Sequence, residues 1–235
     1  MKTKLLFLIL IFFCTIGFGQ TQNTDKKNSV EFSTGYNSGS LKNLAFAPVS
    51  RYDYNGLVYK LNYERTSKNQ NLFEVQLDYL YSELKTEAIP ILNAEYSKMG
   101  LGFSYLKQLL NKNAFSVHAG LQSQTTVSSY RNWASYDAKQ SLGITGRLTY
   151  QLNKKQAVSS KLTIPLVLLR VSSFDSNILS LNRYQSILFN IDYKYSLSNN
   201  FDAIVSYDFN YERLQVPIAF REVQYQLNLG LNFKF

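Results

Sequence analysis

Residues 223–235 read VQYQLNLGLNFKF. Val223, Tyr225, Leu227, Leu229, Leu231, Phe233 and Phe235 are apolar, while Gln224, Gln226, Asn228, Gly230, Asn232 and Lys234 between them are polar or small. A β-strand sends successive side chains to opposite faces, so the segment has one apolar face and one polar face without a break. A helix of 3.6 residues per turn would scatter the same apolar residues around its circumference. The alternation predicts a strand that runs to the last residue and ends on an aromatic ring.

The same pattern recurs upstream. Val30, Phe32, Thr34 and Tyr36 share a face in a first strand over 29–37. Leu57, Tyr59, Leu61 and Tyr63 do so in a second, and Phe73, Val75, Leu77, Tyr79 and Tyr81 in a third. Met99 to Tyr105, Phe115 to Leu121, Leu142 to Tyr150, Ile187 to Tyr195 and Phe201 to Tyr211 follow suit. Leu162, Ile164, Leu166 and Leu168 form the least regular segment. Pro165 there cannot donate to a ladder, which predicts a bulge. The total is ten strands, joined by connections that alternate long and short. The short ones are TSKNQN (66–71), LNKN (110–113), NKKQ (153–156) and LSNN (197–200). The long ones fall at 38–55, 83–95, 127–139, 171–183 and around Pro217, with an apolar piece, LKNLAFAPV, at 41–49. No helical period and no second domain are visible after the first twenty residues.

Those twenty residues are a different object. Lys2 and Lys4 precede an apolar run from Leu5 to Phe13, and Gly17-Phe18-Gly19 offers small residues before a cleavage point. This is the pattern of a secretory signal, too short for a comfortable membrane span. The expected organisation is a cleaved signal over 1–19, a flexible lead-in over 20–28 and one domain over 29–235. Cys14 is the single cysteine, and Phe12 and Phe13 before it lack the small side chains that lipoprotein processing prefers. The mature chain then has no disulfide.

Composition agrees with a sheet that is greasy on one face and wet on the other. Aromatic residues make up 15% of the 235, with 18 Tyr and 16 Phe. Mean hydropathy is only −0.20. The net charge of +9 could suit nucleic acid, but an exported protein meets lipopolysaccharide and phospholipid head groups instead, so no nucleic-acid partner is expected.

The terminal strand resembles the C-terminal strand of bacterial outer-membrane β-barrels, with Tyr225, Leu229, Leu231, Phe233 and Phe235 in the positions of the motif. The resemblance implies an all-β fold: a single closed antiparallel up-and-down transmembrane barrel of about ten strands. It also implies recognition by the barrel-assembly machinery and residence among outer-membrane lipids, lipopolysaccharide included. Outer-membrane barrels keep their periplasmic turns short and gather aromatic residues at both interfaces. Tyr193, Tyr195, Phe233 and Phe235 are expected at the lower interface, and Tyr79, Tyr81, Phe209 and Tyr211 at the upper.

The opposite face carries the candidate functional residues. Lys60, Glu64, Glu74, Asp78, Lys98, His118, Arg147, Asp192, Lys194, Asp208 and Glu212 all fall on it, as do Glu31, Lys161, Asp202, Glu222 and Lys234. Inside a narrow barrel such charges need partners whether or not they do chemistry. The expectation is a salt-bridged polar network plugging the lumen, with the long side chains leaning onto the small wall of Gly100, Gly102, Ser104, Ser116, Gly120, Ser141 and Gly143 and pairing with Lys98 and Arg147. Omptin proteases are ten-stranded barrels whose catalytic acids and histidine sit at the outer rim. Here the one histidine, His118, follows a short turn and faces inward, away from that rim. With one His and no mature Cys, neither a metal site nor a cofactor is expected, and no phosphate-cradling loop is present. The expected role is therefore non-enzymatic: a structural, surface-binding or accessory membrane protein. A narrow pore for ions or small solutes is the alternative, and a rim-located enzyme ranks third. Tyr130, Trp133 and Tyr136 in the loop at 127–139 are candidates for a surface cluster that binds glycans or a partner, and rim aromatics at the lipid interface are equally expected.

Overall fold

In the computed structural model, residues 26–130, 135–173, 176–215 and 218–235 are described. The expected signal peptide and most of the lead-in, together with Trp133 and Pro217, lie outside them. The strands are β1 (Asn28–Asn43), β2 (Tyr52–Thr66), β3 (Leu72–Leu84), β4 (Ala94–Lys112), β5 (Phe115–Tyr130), β6 (Ser135–Asn153), β7 (Gln156–Ser172), β8 (Ser176–Ser180), β9 (Tyr184–Ser196), β10 (Phe201–Leu214) and β11 (Phe220–Lys234). Each pairs antiparallel with its neighbour, and β1 closes on β11 from Ser29↔Lys234 to Asn43↔Phe220. Ten strands thus make a closed barrel, and β8 is an extra strand on the upper edge of β7.

The terminal strand does what its alternation demands. Leu227 and Leu229 stand outward, 59% and 64% exposed, while Asn228 between them is fully buried in the lumen. The same holds round the wall, where Phe32, Leu57, Leu121 and Ile144 are exposed and Ser33, Glu74, Ser104 and Arg147 are buried. An exposed apolar belt on every strand is a lipid-facing surface.

The turns at 67–71, 113–114, 154–155 and 197–200 all lie at one rim, where the chain ends also meet. Asn28 N–H donates to the Phe235 carbonyl at 3.1 Å, and Phe235 N–H to that of Asn28 at 2.9 Å. Gln70 and Asn113 take positive φ, of 59° and 54°, to turn the chain tightly. The long connections lie at the opposite rim.

Two expectations are corrected. The strands run several residues further toward the long-loop rim than the alternation predicts, so β5 continues to Tyr130 and β6 begins at Ser135 within the expected loop 127–139. The expected loop 171–183 holds β8. The reason is physical: near that rim the inward side chains are apolar (Leu41, Tyr52, Leu84, Tyr96) and outward ones polar (Asp53, Glu83, Glu95), so the polar–apolar pattern inverts while the pleat continues. The bulge predicted at Pro165 is present. Leu142 pairs with Val167 and Gly143 with Pro165, leaving Leu166 as the extra residue. Gly143 is needed there, since a Cβ would stand 2.5 Å from the Ile164 carbonyl oxygen and 2.6 Å from Pro165 Cα.

Candidate functional site

The lumen is filled in layers. Nearest the short-turn rim, Asp202 accepts hydrogen bonds from Lys234 (2.8 Å), Ser196 (2.7 Å) and Asn232 (3.2 Å). His118 is buried and its Nε2 lies 3.1 Å from the carbonyl oxygen of Gln70, in the β2–β3 turn. A carbonyl only accepts, so this contact requires the tautomer protonated at Nε2.

Above it lies a network that crosses the barrel. Arg147 on β6 donates to Glu64 on β2 and, at 2.8 Å, to Glu74 on β3. Glu74 also receives Lys161 from β7, which donates to Ser104 at 2.9 Å. Lys194 lies 3.9 Å from Glu31. At mid-height Lys60 pairs with Asp208, which further accepts from Asn228 (2.8 Å) and Asn190 (3.1 Å). Asn190 donates to Asp192 as well, at 2.9 Å. Asp78 leans over Gly100, where a Cβ would stand 2.5 Å from its carboxylate. The small wall accommodates a long side chain at this point by lacking a side chain of its own.

Toward the long-loop rim, Glu222 is the hub. It accepts from Lys98 (2.7 Å), Tyr54 (2.7 Å) and Tyr96 (3.0 Å). Lys139 pairs with Glu212 at 2.6 Å and sits 3.8 Å from the centre of the Phe220 ring. Arg170 grips Asp137 with two parallel bonds of 2.9 and 2.8 Å, the bidentate geometry that is strongest for a guanidinium. Above this layer the inward face turns apolar. Leu41, Ala47, Val49, Tyr52, Leu84, Tyr130, Leu214 and Phe220 form one buried cluster, on which Phe46 packs, its ring 4.7 Å from that of Tyr130. The apolar piece 41–49 is therefore a stopper folded into the mouth.

Arg147 thus joins Glu64 and Glu74, Lys60 joins Asp208, Lys194 lies near Glu31, Lys98 joins the inward Glu222, and Glu212 joins Lys139. Lys139, Tyr54, Tyr96, Arg170 and Asp137 are the members that sequence reasoning left out of the network. Continued alternation through 135–141 would have placed Asp137 and Lys139 on the inward face. Tyr130 is 1% exposed and belongs to the stopper rather than to a surface cluster, a correction with the same cause as the strand lengths. Tyr136 is exposed.

The sequence matches no family model and no curated protein. Similar solved structures are outer-membrane barrels. The outer membrane protease OmpT from Escherichia coli has a TM-score of 0.62 at 10% identity, over 92% of this chain and 99% of that one. The translocator domain of autotransporter NalP from Neisseria meningitidis has a TM-score of 0.48 at 9% identity, over 94% and 91%. Neisserial surface protein A has a TM-score of 0.43 at 10% identity, over 88% and 97%. At these identities the likeness is one of fold. With the closed ring and the lipid-facing belt, the likeness shows the fold: a ten-stranded antiparallel β-barrel of the outer-membrane type.

Proposed function

We propose that this barrel is a non-enzymatic outer-membrane protein with a closed lumen, serving a structural, surface-binding or accessory role. On this reading the N-terminal signal exports it, the barrel-assembly machinery reads its terminal Phe235, and outer-membrane lipids including lipopolysaccharide surround it. The observation that carries the closed lumen is the double obstruction: a stopper of Phe46, Tyr130 and their neighbours at the long-loop mouth, and the Arg147–Glu64–Glu74–Lys161 network toward the other end. Ten strands also lie close to the size at which side chains fill a barrel. The non-enzymatic part rests on His118, which sits at the short-turn rim against Gln70, the end that faces the periplasm in such barrels. The long-loop rim would carry any surface contact; there Ile91 is 86% exposed.

Single-channel recording on the purified barrel in a planar bilayer is the test. Silence is expected. Steady conductance of porin size would replace this reading with the pore.

A further inference from the structure

The barrel wall has a seam. The β7–β9 ladder runs from Gln156↔Tyr195 to Thr163↔Leu188 and stops. Pro165, two residues on, has no N–H to continue it. Above that point β7 pairs with β8 instead, from Val167↔Ser180 to Val171↔Ser176. Tyr184 to Ile187 of β9 pair with β10 alone. Among the described residues no ladder joins β8 to β9. The seam begins at membrane depth: Gly143, the partner of Pro165, lies midway along β6 between the outward Tyr136 and Tyr150.

Behind the seam is a chamber of about 100 Å³. The lumen-facing Asp78, Pro165, Leu188 and Gln226 line it, together with Phe189 and Tyr211 of the wall. Phe189 and Tyr211 occupy outward positions of β9 and β10, in register with the outward Phe209 and Ile187. The chamber therefore borders the wall where β9 and β10 pass the seam. The stopper closes it above and the Arg147 network below.

Two acceptors inside lack a matching donor. Gln226 is 5% exposed and its Oε1 has no hydrogen-bond partner. Asp78 is in no ion pair among the described residues, because Lys60 goes to Asp208 and Lys98 to Glu222. A buried acceptor without a donor, as at Gln226 Oε1, is costly, and the lysines near the half-buried Asp78 are already paired with other acids.

We infer that the seam is a lateral doorway for a single-chain, uncharged, hydroxyl-bearing lipid, of which a monoacylglycerol is the simplest. Its hydroxyls donate to Asp78 and Gln226, and its acyl chain lies in the seam against Pro165, Phe189 and Tyr211. The occupant comes from the bilayer because the seam opens there. It has one chain because the strand spacing, about 4.8 Å, sets the scale of the gap. Its head is small because the chamber is, and it donates hydrogen bonds because the chamber offers acceptors. The inference stands on the seam and not on whether the lumen conducts, so the recording above leaves it untouched.

The test uses the whole mature barrel in vesicles of phosphatidylethanolamine and phosphatidylglycerol. These contain either a monoacylglycerol with a diazirine beside its ester or the fatty acid of the same chain with its diazirine beside the carboxylate. After illumination, labelled peptides are mapped by mass spectrometry. Labelling at Leu188 and Gln226 by the monoacylglycerol is expected, several-fold above that by the fatty acid. It should fall about tenfold in Asp78→Leu/Gln226→Leu, as the loss of two hydrogen bonds predicts. Should that variant fail to assemble, Ser186→Phe, which narrows the seam and spares both acceptors, must give the same loss. Label confined to outward residues such as Leu162 and Ile191 would mean ordinary surrounding lipid and overturn the inference. Inward label equal for both probes, or surviving in the variants, would overturn it too.

Discussion

Replacing Arg147 with Leu removes one guanidinium and strands two acids of very different standing. Glu74 keeps Lys161, so half of its compensation survives. Glu64 has Arg147 as its one ion-pair partner among the described residues, and its side chain is 20% exposed. Breaking a buried ion pair from one side costs roughly 3–5 kcal/mol when the remaining charge is fully buried. The partial exposure of Glu64 and the second partner of Glu74 reduce this to about 2–3 kcal/mol. Urea unfolding in phospholipid vesicles, read by heat-modifiable gel migration, measures it. Adding Glu64→Leu to Arg147→Leu removes the orphaned charge as well and should recover at least half of the loss. A single variant within about 0.5 kcal/mol of the wild type, or a double variant no better than the single, would refute the claim that this network is a dry ion-pair cluster.

Other outcomes follow from the same geometry. Lys at the outward Leu229 should lower stability by roughly 2–4 kcal/mol, the cost of a charge near the bilayer midplane, seen as loss of heat-modifiable protein in the membrane fraction. Lys at Asn228 faces the lumen but not open space: Asn228 is buried and bonded to Ser206 and Asp208, so overpacking should cost about 1–3 kcal/mol in the same assay. Gly143→Val should block assembly, since its side chain would enter the backbone of Ile164 and Pro165; normal yield in the outer membrane would contradict the close approach. Arg147→Ala with Glu74→Ala should remain silent in a planar bilayer, because the mouth stopper is intact, and conduct once Phe46→Ala and Tyr130→Ala are added.

The barrel was legible in the sequence because a lipid-facing wall needs strict alternation. Leu227-Asn228-Leu229 can satisfy bilayer and lumen in one register only. The lumen was legible as a set of inward charges with Lys98 and Arg147 as expected partners, but not as particular pairs. That Arg147 crosses to Glu64 and Glu74, or that Lys98 reaches Glu222 rather than Asp78, depends on strand tilt and on which wall is small, neither of which a period of two records. The mouth was hidden for the opposite reason. Tyr54, Tyr96 and Tyr130 face inward like Glu74, but there the outward neighbours are polar, Asp53 and Glu95 among them, so the alternation reverses sign and no longer reads as the same wall. The seam left one mark, Pro165, and its meaning depended on which strand lay beside it.

The distribution of apolar side chains within the lumen has a consequence for how the barrel is held together. A soluble protein hides its apolar residues from water, but here the outer wall already gives them to lipid, and the interior must be stabilised otherwise. Over most of its height that is done by matched charges and amides, which hold only while all members are present. Among the described residues an apolar cluster forms only at the long-loop mouth, where the wall rises toward the aqueous side, and there burial from water contributes as it does in a soluble core. The polar layers should thus fix the register of the strands, and the stopper should hold the long connections down. Substitutions at Phe46 or Tyr130 are accordingly expected to loosen the loops before the wall, detectable as protease cleavage near the long-loop rim in a barrel that still migrates as folded. Cleavage accompanied at once by loss of the folded band would mean that the stopper and the wall unfold together.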